Sequence, residues 1–142
     1  MAPESSQVPG LGPGERVLGV WPAQAVQGGE ASLRRGRLVL TTHRCSFLRR
    51  ARLLSGNRWE KDPVFTTRLE DLTSAHPRQF HLRIGYGDRI EIGGLEIGGC
   101  EFQLDRGTDP LEILAEIAKA RAGRIAELGR LVSGGAQGKW EP

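Results

Sequence analysis

CEFQLDRGTDPLEILAEI, residues 100–117, changes period halfway along. Cys100, Phe102 and Leu104 alternate with Glu101, Gln103 and Asp105, a period of two that belongs to a strand with one buried face. From Asp109 the spacing becomes helical. Three signals agree on the start: Asp109 as N-cap, Pro110 at the first helical position and Glu112 three residues after the cap. Downstream, Leu111, Leu114, Ile117 or Ala118, Ala122, Ile125 and Leu128 form one apolar stripe, with Glu112, Glu116, Lys119, Arg124 and Glu127 facing water. The stripe predicts a helix ending near Leu128 or Val132, weakened by Gly123 and Gly129. Residues 133–142, rich in glycine, read as a flexible tail.

Upstream of this switch every periodic segment is a strand. Phe80-His81-Leu82-Arg83-Ile84 alternates strictly, as does Arg89-Ile90-Glu91-Ile92, and the near-repeat IEIGG, LEIGG places Gly93-Gly94 and Gly98-Gly99 as turns. GRLVLTT (36–42) and CSFLRR (45–50) form a tight hairpin across His43-Arg44. Val17–Trp21 reads as a strand that Pro22 interrupts, with Ala23–Gln27 as a short second strand ahead of a Gly28-Gly29 turn. Val64–Leu69 is extended, after a polar, basic loop from Arg52 to Pro63. Residues 1–14, rich in Pro, Gly and Ser, read as a flexible arm.

About seven strands, one C-terminal helix and no helix between strands exclude a doubly wound α/β fold. The class is mainly β with one C-terminal α-helix, an antiparallel barrel or pair of sheets plugged by that helix. With 142 residues there is room for one core, spanning residues 15–132. No apolar run reaches the roughly 18 residues that a membrane-spanning helix needs, and the start has no signal-peptide pattern, so the expected setting is cytoplasmic. Cys45 and Cys100 both fall in alternating apolar stretches and are expected in the core. A zinc site from Cys45, Cys100, His43 and His76 or His81 lacks the close-spaced ligand pairs of such sites, so no metal or other cofactor is expected.

Charge is uneven although the net is only +3. Ten of the 20 basic residues lie between residues 34 and 68, opposed there by Glu60 and Asp62 alone. No P-loop, nucleophile elbow, HExxH or dinucleotide fingerprint occurs, and His76 and Glu70 stand singly, so the sequence does not read as an enzyme. Phe47, Trp59 and Phe65 are the only aromatics in that basic stretch, too few for a nucleic-acid stacking platform.

Arg35-Gly36-Arg37-Leu38-Val39-Leu40-Thr41-Thr42-His43-Arg44 resembles the G-x-L-x-L-T-x-x-R strand pair of the PH-like superfamily, in particular of its GRAM and GLUE domains. Gly14-Glu15, Leu69-Glu70-Asp71-Leu72 and the terminal Lys139-Trp140-Glu141 are also similar to the GLUE type found in the ESCRT-II complex of endosomal protein sorting. The resemblance implies a seven-stranded barrel or orthogonal sheets capped by the helix, and a non-catalytic adaptor that binds ubiquitin, membrane phosphoinositides, or both, alongside other ESCRT-type subunits. It implies a headgroup role for Arg78, with His76 beside it in the loop before Phe80, and a structural role for Arg44. Arg34, Arg35, Arg49, Arg50, Arg52, Arg58 and Lys61 supply general attraction to an anionic surface, with Trp59 as an interfacial anchor. Four such cations at about 1 kcal/mol each give only a millimolar contact, so recruitment needs a second one, for which the wet face of the helix or the exposed strand residues are the candidates. The alternative is a PH-like protein-interaction module without lipid affinity.

Overall fold

The computed structural model describes Val8 and residues 10–27, 30–49, 65–84 and 88–140. Its strands are β1 (Val17–Gln27), β2 (Glu30–Thr41), β3 (Arg44–Arg49), β4 (Phe65–Arg68), β5 (Ala75–Ile84), β6 (Asp88–Ile97) and β7 (Cys100–Leu104). A 3-10 turn, Leu69–Asp71, precedes β5, and one helix, α1 (Pro110–Trp140), closes the chain. All seven strands join one antiparallel sheet in the order β4-β3-β2-β1-β7-β6-β5, capped by the helix in the manner of PH-like folds.

The sheet curls because β1 serves two partners unequally. It pairs with β2 along nearly its whole length but with β7 only from Ala23 to Val26. The halves diverge from that short seam and face each other, so that Phe102 of β7 meets Phe47 of β3 at 5.2 Å and Phe65 of β4 at 5.5 Å between ring centroids. Leu38, Leu40, Leu69, Leu95 and Ile97 fill the space around these rings.

Several local expectations are corrected. Pro22 does not interrupt β1: it sits opposite Arg37, one residue before pairing with β7 begins, where a missing N–H is tolerated. Gly93-Gly94 is no turn but lies inside β6, where a Cβ on Gly94 would run into the Phe80 ring and the Phe102 carbonyl. Gly98-Gly99, both at positive φ, does turn the chain into β7. Cys45 is buried, and burial pushes its thiol up to about 12, but Cys100 is exposed because it follows that turn, beyond the cover of the core.

The helix starts as expected, the Leu111 N–H donating to Asp109 Oδ1 at 2.9 Å, and continues to Trp140 rather than ending near Val132. Of the expected stripe Ile117 is buried and Leu114 packs against the core, but Leu111, Ala122 and Ile125 are exposed, and Ile113 and Ala120 are buried in their stead. Burying Ile113 and Ile117 is worth about 1.5–3 kcal/mol each. The difference in phase arises because α1 carries more apolar residues than one stripe holds, and Ile113 rather than Leu111 is aimed at the open end of the curled sheet.

A polar tie holds the strand entrance. The Glu15 side chain is 3% exposed. It accepts hydrogen bonds from the Gly12 N–H (2.8 Å), the Thr41 hydroxyl (2.5 Å) and Arg44 Nε (3.0 Å). Arg44 also donates to the Gly10 carbonyl, so the segment from Gly10 onward, expected to belong to the flexible arm, is fastened to the β2–β3 turn. Burial pushes the Glu15 carboxyl upward, but the Gly12, Thr41, Arg44 and His43 contributions outweigh it and hold the group below its ordinary value of 4.5.

A carboxyl lowered in the folded state adds stability that is present above its unfolded value and is lost as pH falls through the folded one. Glu15→Gln is expected to cost about 1.5–3 kcal/mol at neutral pH. Urea denaturation should show that gap narrowing at a pH below the folded value, where the parent carboxyl is itself protonated. In the same assay Gly94→Ala is expected to cost about 1–3 kcal/mol by overpacking. Gly123→Ala, which meets nothing within 4 Å, should stabilise α1 by up to about 1 kcal/mol.

Candidate functional site

The expected basic rim divides when placed on the fold. Arg78 and His76 lie within β5, which begins at Ala75, not in a loop before Phe80. The loop expectation fails because the polar residues of Ala75–Gln79 pair with Gly93–Ile97 of β6 just as the apolar-alternating half of the strand pairs further on. Arg35 and Arg49 stand on β2 and β3, separated from β5 by β1, β7 and β6. Arg49 is registered with Gly36, so alternation sends Arg49 and Arg35 to opposite faces of that strand pair. Arg34 belongs to β2, and Arg50, Arg52, Arg58, Lys61 and Trp59 lie outside the described residues.

Arg78 has an electrostatic role inside the sheet. Its Nε lies 3.2 Å from Glu96 Oε2 on β6 and its Nη2 2.9 Å from Glu101 Oε1 on β7, and the register sets those two glutamates directly opposite each other. Like charges facing across a strand pair repel, so the guanidinium bridges what would otherwise be a destabilising pair. Its fork is thereby occupied by carboxylates, and a phosphate approaching it would meet two anions first. His76 is exposed and registered with Glu96. Arg44 is engaged with Glu15, as a structural role requires.

A concave feature lies elsewhere on the described surface, walled by helical residues that the periodicity places in the core-facing stripe. A groove of about 780 Å³ runs between the flank of α1 and the chain entering β5. Leu114, Ala118, Ala122 and Ile125 form its helical wall and Leu72 and Ala75 its opposite wall. Arg124 holds the walls in place, its Nε 3.3 Å from Glu70 Oε2 on the 3-10 turn. One charged side chain, Arg121, lines the groove, and it is exposed with no ion-pair partner among the described residues. Leu111 and Ile125, on the same flank of α1, remain 64% and 44% exposed.

The signal for this flank was in the sequence: Leu111, Leu114, Ala118, Ala122 and Ile125 recur at spacings of three and four beside the separate set Ile113, Ile117 and Ala120. Two apolar sets on one helix mean one more face than a single core can cover. Among the described residues no three of His, Cys, Asp and Glu gather as metal ligands, and no helix is long and apolar enough to cross a membrane.

The two-carboxylate environment of Arg78 leads to a specific expectation. Arg78→Ala should lower stability by about 1 kcal/mol or less, since all three groups reach solvent. Repeating the denaturation in high salt should shrink the loss, because the repulsion left between Glu96 and Glu101 is screened. Compared with protein-family models, with curated proteins and with solved structures, the chain finds no match.

Proposed function

We propose that the chain is a non-catalytic recognition domain of the cytoplasm that works by docking a protein partner. The observation that carries this reading is the contrast between two surfaces. The arginine expected to chelate a headgroup is occupied by Glu96 and Glu101, whereas an apolar helix flank beside a 780 Å³ groove stands uncovered. Exposed apolar area rimmed by polar residues is the usual mark of a protein-binding surface. The resemblance to GLUE domains makes ubiquitin the first partner to test, with other subunits of an endosomal sorting assembly next. Phosphoinositide binding, the other function that the resemblance implies, keeps Arg35 and Arg49 as contributors to a diffuse attraction that would assist recruitment to an anionic membrane.

Titration of the isotope-labelled chain with ubiquitin, and separately with soluble inositol phosphates, tests the choice by NMR. Saturable shifts are expected on adding protein and only weak, salt-sensitive ones with inositol phosphates. Vesicle flotation should be unchanged by Arg78→Ala. Saturable inositol phosphate binding that disappears in Arg78→Ala, with no response to ubiquitin, would overturn the reading.

A further inference from the structure

Resting on that reading, we infer that the groove between α1 and the entry to β5 receives an amphipathic helix from a partner protein, one that carries an acidic residue within its apolar seam. The spacing of the helical wall is the first ground. Leu114, Ala118, Ala122 and Ile125 follow each other at intervals of four, four and three, the pattern by which one helix presents a seam to another. Ala118 and Ala122 keep the middle of that seam shallow, so a second helix can approach to the short end of the usual 8–10 Å interaxial range. Ile125, exposed at one end of the wall, and Leu111, exposed about one turn before its other end, extend the seam with larger side chains.

The second ground is charge. Arg121 is the one charged residue in a lining that is apolar apart from Thr73 and Ser74, and no carboxylate of the described chain answers it. Its neighbour Arg124 is satisfied by Glu70 and Glu127, so the vacancy belongs to Arg121 alone. A carboxylate brought by the partner pairs with it in a partly dry setting, where a bidentate Arg–carboxylate contact adds orientation as well as affinity.

The form of the occupant follows from the opposite wall. β5 is an edge strand, and among the described residues nothing pairs with its free side, which would ordinarily invite an extended peptide to add as an eighth strand. Pro77, in the third position of β5, has no N–H to offer and blunts that edge. Recognition therefore runs through side chains entering the groove, the mode used by helices in grooves rather than by added strands.

The test selects a displayed library of helical peptides of about five turns, randomised along one face, on the intact chain. Enriched peptides are then measured by fluorescence anisotropy against the parent, Ala118→Glu and Arg121→Glu, all checked for unchanged circular dichroism. Enrichment of apolar residues at i, i+3 or i+4 and i+7 with Asp or Glu among them is expected. Affinity should fall by roughly tenfold or more in Ala118→Glu. Arg121→Glu should weaken the acidic peptides and, on reselection, favour Lys or Arg at the same position. The inference is overturned if no helical peptide enriches or if both substitutions leave affinity unchanged. It is equally overturned if sedimentation shows the groove closed by a second copy of this chain, a dimer that Ala118→Glu dissolves. If ubiquitin binds while the groove variants have no effect on it or on any peptide, the groove assignment fails and the protein-docking reading stands.

Discussion

Phe102 is the contact on which the architecture turns. Two strands from the far half of the sheet, β3 and β4, reach it through Phe47 and Phe65, and these tilted ring contacts exist only because the sheet curls back on itself. Aromatic pairs of this kind add about 0.5–1.5 kcal/mol beyond the area they bury. Their larger effect is geometric. Once the halves face each other, an open end remains, and Ile113 and Ile117 of α1 enter it. A helix seated that way can bury one stripe only, so the flank that lines the groove is left uncovered by the same arrangement that completes the core.

The polar interactions obey one rule with different results. Glu15 and the pair Glu96 and Glu101 each meet an arginine, but Glu15 is buried and collects three donors, whereas Glu96 and Glu101 remain half-buried and share Arg78. The first arrangement fixes where the chain enters β1. The second lets β6 and β7 lie in register despite two facing acids. In both cases the arginine is consumed by the fold and is not free to meet a ligand. Arg121 differs in its place: it is the charged residue of the groove lining, and nothing in the described chain consumes it.

Much of this is legible in the sequence. The switch of period between Leu104 and Asp109 gave the fold class and the helix start, and strict alternation gave the first half of β6, β7 and the second half of β5. The misjudged places share a cause. Pro22 and Gly93-Gly94 were read as breaks because local preference says so, yet a missing N–H is harmless where only one neighbour pairs, and a missing Cβ is what the Phe80 ring requires. Arg78 was put in a loop since His76, Pro77, Arg78 and Gln79 lack apolar alternation, but strand pairing there is secured by β6. Cys100 kept the phase of Phe102 and Leu104 and still surfaced, because phase says which way a side chain points and not whether anything covers it. The groove was missed for a related reason: periodicity finds apolar faces but does not say which of two faces the core will take.

The reach of α1 has a mechanical side. At 1.5 Å per residue its 31 residues extend about 46 Å, whereas the part fastened to the rest of the fold, from Ile113 to Arg124, occupies about 17 Å of that length. The remainder is a lever whose fulcrum is the open end of the sheet. A tilt of about 10° at that fulcrum swings the backbone at Trp140 through roughly 4 Å, so a modest push against the shaft is magnified at its tip.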